Sequence, residues 1–222
     1  MSEEVFIESL IKHILEWWTK NLSKWDYPWR YERDLYRSIV AEILLVRTRR
    51  SAVVNVYKKF FDAFPDPQAL SSASHEEILN IVGSLGLRKR AQYLKMLGKA
   101  LSKRIPKRPE DLESLPCIGE YAKDILSLKL FNKGRIPIDR NIARVLWRIL
   151  RGENPTQEKP EKDPWVRTIL KKFEKQLKPE EKLNLAYALM DFAYEICRPR
   201  SPRCNWCPIK KRCGYAKRKK PR

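Results

Sequence analysis

Leu115-Pro116-Cys117-Ile118-Gly119 is the stretch that decides the fold, and it comes directly before a helical run from Glu120 to Leu130. The proline and glycine predict a tight turn that exposes backbone N–H groups at the start of a helix. Such a helix N-terminus binds a phosphate group. An ordinary helix-capping turn is the alternative. Cys117 is expected to be a small packed residue rather than a nucleophile.

The turn resembles the helix-hairpin-helix motif, whose usual sequence is Leu-Pro-Gly-Val-Gly. This sequence departs from the motif at Cys117, which stands where the first glycine is usual. The cysteine adds a side chain beside the expected phosphate, and it adopts a positive φ angle less readily than glycine. The resemblance places a hairpin near residues 112–126 and assigns DNA contacts to Cys117, Ile118 and Gly119.

The rest of the chain reads as helical, because apolar residues recur at helical spacing and sustained period-two alternation is absent. Examples are Phe6, Leu10, Ile14 and Trp17, then Leu35, Ile39 and Ile43, then Ile78, Ile81 and Val82. We therefore predict an all-α protein of roughly ten helices. The polar stretch from Arg151 to Pro164 is expected to be a surface loop or linker before a helix near Trp165. The basic residues Lys217 to Arg222 are expected to be a frayed end.

The charge of the chain points to a polyanionic partner. Its 222 residues contain 47 Lys and Arg against 27 Asp and Glu, a formal net charge of +20. Nucleic acid is the leading partner, with a merely solubilising surface as the alternative. Residues 1–20 lack the apolar run of a signal peptide or membrane span. The sequence therefore predicts a soluble, cytoplasmic, nucleoid-associated protein that does not contact membranes.

Four of the five cysteines form a cluster near the C-terminus: Cys197, Cys204, Cys207 and Cys213. This is no disulfide framework for a protein of this size, so metal ligation is the preferred interpretation. Thiolates bind zinc and iron–sulfur clusters alike, and free thiols are a third alternative. A structural zinc site usually pairs two short Cys-x-x-Cys knuckles, and this segment has one. The many cations in the segment suit a surface pressed against phosphates.

The spacing of six, two and five residues between these cysteines is similar to the [4Fe–4S] loop of endonuclease III and the adenine mismatch glycosylases. A third segment, Pro137-Ile138-Asp139-Arg140-Asn141-Ile142-Ala143-Arg144-Val145, is similar to the signature that carries this family's catalytic aspartate. By itself, Asp139 reads as a helix N-cap. Because hairpin, aspartate and cysteines follow in the family's order, the chain is identified as a member of the endonuclease III superfamily of DNA glycosylases.

The resemblance implies two helical lobes that bind double-stranded DNA in the cleft between them, and a monomeric protein. One lobe, residues 32–136, would be a six-helix barrel that ends in the hairpin. The other would join residues 1–31 to residues 137–222 and hold a [4Fe–4S] cluster in loop 197–213. In this arrangement the cluster is a structural staple.

Tyr121 bears on the reaction type. The family's lyases carry a lysine two residues after the second hairpin glycine, where it forms a Schiff base with the sugar. Tyr121 stands there in this sequence, and a phenol cannot perform that chemistry. The resemblance therefore implies a monofunctional enzyme in which water captures the sugar.

Residues 41–49, Ala-Glu-Ile-Leu-Leu-Val-Arg-Thr-Arg, resemble the Ala-Glu-Ile-Leu-Leu-Arg-Arg-Thr of thymine glycosylases, whereas adenine glycosylases typically end this segment in Leu-Gln-Gln-Thr. We therefore predict excision of thymine or uracil opposite guanine. Two alternatives stay open. One is an adenine glycosylase acting opposite guanine or 8-oxoguanine, and the other is a catalytically silent iron–sulfur protein that binds DNA.

The resemblance also assigns roles to single residues. Glu42, Tyr121 and Asp139 would frame the base pocket, with Asp139 stabilising the sugar cation or activating water. Glu42 could instead be a buried carboxylate paired with an arginine. The expected contacts to the DNA gap and the unpaired base are Arg47, Thr48, Arg49 and Leu87.

Overall fold

The computed structural model describes residues 2–218, which form helices and turns and contain no β-strand. The all-α prediction is confirmed. The chain divides into two compact units. One is continuous and covers Asp26–Lys133, and the other joins the residues up to Trp25 to those from Gly134 onward.

Twelve α-helices in the described residues carry the fold, somewhat more than the rough count from the sequence. They are α1 (Glu3–Thr19), α2 (Pro28–Tyr31), α3 (Leu35–Leu45), α4 (Arg50–Ala63), α5 (Pro67–Ser72), α6 (His75–Val82), α7 (Lys89–Lys103), α8 (Glu120–Phe131), α9 (Arg140–Leu146), α10 (Pro164–Glu174), α11 (Pro179–Glu195) and α12 (Gly214–Arg218). Short 3-10 turns cover Leu22–Trp25, Gly83–Leu85, Pro109–Ser114, Pro160–Lys162, Cys204–Trp206 and Lys210–Arg212, and a π-helical turn covers Trp147–Arg151.

In the continuous unit, side chains in the loops cap the N-termini of helices, and the helices pack together through their apolar faces. Asp34 caps α3, because its carboxylate accepts a hydrogen bond of 2.8 Å from the Arg37 backbone N–H. Ser74 and Glu77 form a reciprocal capping box at α6. Helices α5 and α7 approach so closely that a Cβ on Gly98 would lie 2.9 Å from Leu70 Cγ. The core therefore requires glycine at this crossing.

In the discontinuous unit, helix α1 packs on α11. The Trp18 indole donates a 2.8 Å hydrogen bond to the Asp191 carboxylate, which is fully buried. Trp17 packs edge-on against Phe192. The Trp18–Asp191 bond joins residues 173 positions apart in sequence, and both contacts attach the N-terminal helix to the helix that leads into the cysteine loop.

The ends of predicted segments are partly corrected by the structure. Helix α10 starts at Pro164 after the polar stretch, as predicted. Lys217 and Arg218, expected to fray, belong instead to α12. Residues 219–222 of the predicted tail lie outside the described residues. Within residues 2–218, no helix combines the length and apolar character needed to cross a bilayer.

Candidate functional site

The four clustered cysteines line one cavity in the discontinuous unit. Cys197 follows α11, Cys204 opens a 3-10 turn, and Cys207 and Cys213 flank the next turn. Apolar side chains, including Phe192 and Ile209, complete the wall. Among residues 2–218, no three His, Cys, Asp or Glu side chains are arranged to hold a single metal ion. The four thiols thus face one common space.

Two buried arginines hold the loop that carries Cys197. Arg148 donates to the Cys197 sulfur at 3.5 Å and to the carbonyls of Arg198 and Pro199 at 2.6 and 2.7 Å. Arg144 donates to the Cys197 carbonyl at 3.0 Å. Because guanidinium groups present several donors in a fixed plane, these two side chains fix the backbone at the start of the loop. Arg148 is not among the site residues predicted from the sequence.

Burial raises the pKa of the Cys207 thiol to about 12, and burial also raises the pKa of Cys197 and Cys213. The Arg148 hydrogen bond opposes this rise at Cys197. Burial therefore favours the protonated form of these three thiols. Metal binding displaces such protons, which couples loading of the loop to pH.

Some of the loop's cations have partners within the protein. Arg198 and Arg203 both pair with Glu195, the former at 3.6 Å. Lys210 donates to the Asn205 side chain at 2.9 Å. Arg200 and Lys211 are exposed. The predicted contact between this loop and phosphates stays a prediction, with Arg200 and Lys211 as its exposed cations.

Asp139 is half-buried and caps the N-terminus of α9. One carboxylate oxygen accepts hydrogen bonds from the backbone N–H groups of Asn141 and Ile142 at 2.9 and 2.7 Å. The other oxygen accepts from the Asn141 side chain at 2.7 Å. The carboxylate is therefore fixed on a rigid element, as a group acting on a developing charge must be.

Asp139 is connected to the cysteine loop through two side chains. The Asn141 amide donates to Asp139, and its oxygen accepts a 2.9 Å hydrogen bond from Arg144. Arg144 in turn donates to the Cys197 carbonyl. The predicted catalytic acid and the first cluster cysteine thus belong to one hydrogen-bonded network.

Glu42 lies on α3 in the continuous unit and is half-buried. Burial raises its pKa to about 7, and the nearby positive charge of Lys129 opposes that rise. The cation that acts on Glu42 is thus a lysine, whereas the alternative considered from the sequence was an arginine. Lys129 donates to Ser38 Oγ at 2.9 Å, and Ser38 lies one helical turn before Glu42.

Lys129 is itself buried, and it is absent from the residues that sequence reasoning selected. Its ammonium also donates to the Trp29 carbonyl at 2.6 Å. Burial lowers the pKa of Lys129 to about 8, and Glu42 and Glu32 oppose that change. A lone lysine in the apolar run from Ile125 to Phe131 was the signal available in the sequence.

Removing the Lys129 charge should change the pH at which Glu42 titrates. The folded-state pKa of Glu42 exceeds the ordinary 4.5, so its favourable contribution to folding is present near pH 4.5 and is lost as pH rises through 7. Lys129→Met should raise this pKa further, because no cation then favours the carboxylate. We expect a titration near pH 7 in single-turnover rates, displaced to higher pH by Lys129→Met and absent in Glu42→Gln.

The control for that measurement is Lys133→Met, an exposed lysine four residues further along. It should leave the titration midpoint where it is. An unchanged midpoint in Lys129→Met, measured on protein that still unfolds cooperatively, would contradict the pairing.

The hairpin has an open helix N-terminus but an unexpected cysteine. Gly119 is the N-cap residue of α8 and supplies no side-chain cap, and a Cβ added there would meet none of the described residues within 4 Å. Cys117 is exposed, so the prediction of a packed residue is wrong. It adopts φ 63° despite its side chain. The Ile118 side chain is buried, so only its backbone is available to a phosphate. Tyr121 lies half-buried in the first turn of α8.

Two more of the predicted DNA contacts share this rare backbone conformation. Arg47 has φ 52° and Leu87 has φ 47°. A side chain at such an angle costs roughly 1–2 kcal/mol per residue, and strained residues of this kind cluster at functional sites. Arg47 and Arg49 are exposed, whereas Thr48 and Leu87 are half-buried. The sequence did not predict the backbone conformation of these loops.

Comparison with known families matches residues 40–184 to the description "HhH-GPD superfamily base excision DNA repair protein". The chain belongs to this superfamily. This confirms the family predicted from the hairpin, aspartate and cysteine motifs. The matched region contains Glu42, Tyr121 and Asp139.

The relatives follow the predicted order, with thymine enzymes ahead of adenine enzymes. A thymine-DNA glycosylase of Aeropyrum pernix is 32% identical over 214 residues, which cover 94% of this chain and 95% of the relative. A thymine/uracil-DNA glycosylase of Pyrobaculum aerophilum is 32% identical, with 92% and 88% covered. An adenine DNA glycosylase of Buchnera aphidicola is 30% identical, with 93% of this chain but 59% of the relative covered.

The solved structures agree. A thermostable thymine-DNA glycosylase superposes with a TM-score of 0.81 at 26% identity, covering 99% of this chain and 100% of the other. An endonuclease III trapped in a covalent complex with DNA superposes with a TM-score of 0.79 at 21% identity, covering 98% of each chain. The latter likeness shows the shared helical fold.

Proposed function

We propose that the protein is a monofunctional DNA glycosylase that hydrolyses the N-glycosidic bond of thymine or uracil mispaired with guanine. The observation that carries this proposal is the likeness to thymine-DNA glycosylases over nearly the whole of both chains. The +20 charge suits a double-stranded DNA substrate.

The proposed reaction begins with extrusion of the mispaired nucleotide, because its glycosidic bond cannot be reached inside the stack. A mispair loses less stacking and pairing energy on extrusion than a matched pair, and this favours the correct substrate. In the proposed reaction, the Asp139 carboxylate stabilises the positive charge on the sugar as the C–N bond breaks, or accepts a proton from the attacking water. Its bonds to the α9 backbone hold it in one orientation.

Two observations support hydrolysis rather than lyase chemistry. Tyr121 stands where the lyases carry their lysine, and a phenol forms no Schiff base. Lys129 is buried, and its ammonium already donates to Trp29 and Ser38. The proposed acceptor of the sugar is therefore water.

The proposed cofactor is a [4Fe–4S] cluster held by Cys197, Cys204, Cys207 and Cys213. The donor set fits, because four sulfurs line one cavity with apolar walls, and cysteine thiolates are the ligands of such clusters. When bound, the cluster supplies a covalent crosslink between α11 and the loop before α12. The loop would then present Arg200 and Lys211 to phosphates.

DNA contacts are proposed in both units. In the continuous unit, the open N-terminus of α8 at Gly119 binds a phosphate through backbone N–H groups. Arg47, Thr48, Arg49 and Leu87 are proposed to occupy the gap left by the extruded nucleotide. An arginine there can donate two hydrogen bonds to guanine O6 and N7, which would favour a mispair with guanine.

Adenine excision is the second candidate, favoured by the 30% identity to an adenine glycosylase and by Glu42, which matches the glutamate that protonates the purine in those enzymes. A panel of duplexes with T·G, U·G, A·G and A·8-oxoguanine, treated with alkali after incubation, separates the two. We expect breaks at T·G and U·G and intact A·G and A·8-oxoguanine strands. Breaks without alkali would contradict the monofunctional assignment.

A further inference from the structure

Arg90 joins the two strained loops that hold Arg47 and Leu87. Its guanidinium donates hydrogen bonds to the Leu44 carbonyl at 2.8 Å, the Val46 carbonyl at 2.9 Å and Thr48 Oγ1 at 2.7 Å. The last two acceptors belong to the residues on either side of Arg47. The guanidinium therefore brackets the residue whose φ is 52°.

The backbone of Arg90 reaches the second loop. Its N–H donates to the Leu87 carbonyl at 2.8 Å, which closes the turn where Leu87 has φ 47°. One residue at the start of α7 thus contacts both strained loops, although they lie about forty residues apart in sequence.

Burying the Arg90 guanidinium would be costly if its only role were to donate hydrogen bonds to carbonyls at the C-terminal end of α3. Arg90 is 1% exposed, its Nε atom has no hydrogen-bond partner among residues 2–218, and burial lowers its pKa. The acceptors of its guanidinium are two carbonyls and a hydroxyl, none of which carries a full charge. Glycine ends helices without burying a charge. A buried guanidinium is better explained by the fork of donors that only arginine supplies.

We propose that Arg90 is a positioning residue that holds Arg47 and Leu87 ready to enter DNA as one preformed pair. This rests on the proposed function, in which those side chains occupy the gap left by the extruded base. Without the hydrogen bonds of Arg90, both Arg47 and Leu87 would relax toward negative φ. Binding to DNA would then have to restore the strained conformation. Preorganisation removes that requirement from the binding step.

The test combines single-turnover excision from a T·G or U·G duplex with the fluorescence of 2-aminopurine beside the mispair, which reports unstacking. Arg90→Met should lower both the excision rate and the fluorescence rise by about tenfold or more. Arg90→Lys keeps the charge without the planar fork. We expect it to recover thermal stability but not excision. If stability and excision recover together, Arg90 is merely structural and the inference is wrong.

A double-mutant cycle with Leu87→Ala decides whether Arg90 acts through the loop. The double variant should lose no more activity than the less active of the two single variants. Independent effects, which multiply, would overturn the inference. Thr48→Val, which removes one of the three bonds and almost no volume, is the milder second variant and should show the same non-additivity.

Gly98→Ala is the matched destabilising control. It lies on the same helix and crowds Leu70 and Ser71 without touching either loop. It should lower thermal stability and combine multiplicatively with Leu87→Ala.

The possible outcomes distinguish a failure of the proposed function from a failure of the inferred role of Arg90. Wild-type protein that excises no thymine or uracil would refute the proposed function. An active wild type with impaired Leu87→Ala and unimpaired Arg90→Met would refute the inference alone.

Discussion

Asp139→Asn is expected to lose most base excision while keeping affinity for a mispaired duplex. The amide preserves the size of the side chain and removes the negative charge proposed to face the sugar cation. Loss of one such electrostatic group typically lowers the rate roughly a hundredfold or more. The measurement is single-turnover excision from a T·G or U·G duplex, with affinity measured in parallel by fluorescence anisotropy.

The fold should survive this substitution, because asparagine caps helices about as well as aspartate. The amide oxygen can still accept from the backbone N–H groups of Asn141 and Ile142. The bond from the Asn141 side chain is lost, since an amide nitrogen cannot accept it. One such hydrogen bond is worth about 1 kcal/mol, so a small fall in thermal stability is expected.

Asp163→Asn is the matched control. Asp163 caps α10 in the same unit and accepts from the Trp165 backbone at 2.9 Å. Its other oxygen accepts from the Trp147 and Gln157 side chains, so this variant should lose at least as much stability as Asp139→Asn, with unchanged excision. Full excision by Asp139→Asn would move the catalytic acid elsewhere, and Glu42 would become the first candidate.

The sequence predicted the all-α fold and the family because their signals are local. The helix caps, the Pro-Cys-Ile-Gly turn and the cysteine spacing each lie within a short stretch of chain. The N-cap role of Asp139 followed from the same kind of signal and is confirmed by its bonds to the α9 backbone. Its catalytic role depends on DNA and stays a proposal.

The residues that sequence reasoning missed are buried cations held by distant backbone. Arg90 bonds carbonyls more than forty positions away, Lys129 bonds Trp29 across 100 positions, and Arg148 bonds the cysteine loop across about fifty. A carbonyl acceptor leaves no mark in the sequence, because every residue has one. These arginines and lysines therefore read as surface charge until the tertiary structure is known.

Cys117 shows a second limit of prediction from the sequence. It was expected to be a small packed residue rather than a nucleophile, whereas the structure exposes it at φ 63°. Leu115 and Ile118 of the same turn are both buried, so the turn is held by packing on either side of the cysteine. The motif's usual glycine indicated a positive φ at this position, but not the exposure of the side chain.

The cysteine loop gives the second large expected effect. Cys213→Ser should yield protein without the brown colour and broad absorption at ~400 nm of a [4Fe–4S] centre, against about four irons per chain in wild type. The structural reason is the position of Cys213, which is buried in the cavity wall beside the Arg148 carbonyl and directly before α12. Because metal binding and folding are coupled in such loops, we also expect a lower unfolding temperature and weaker DNA binding.

Cys117→Ser is the control for that experiment, because Cys117 lies on the hairpin, in the other unit from the cysteine cavity. It should leave the colour and iron content intact. Wild-type protein that is colourless and carries one zinc per chain would overturn the cluster assignment. If Cys213→Ser is colourless yet as stable as wild type, the cluster does not stabilise the fold. Retained colour and iron in Cys213→Ser would instead remove Cys213 from the ligand set, leaving three cysteines to hold the group that the cavity encloses.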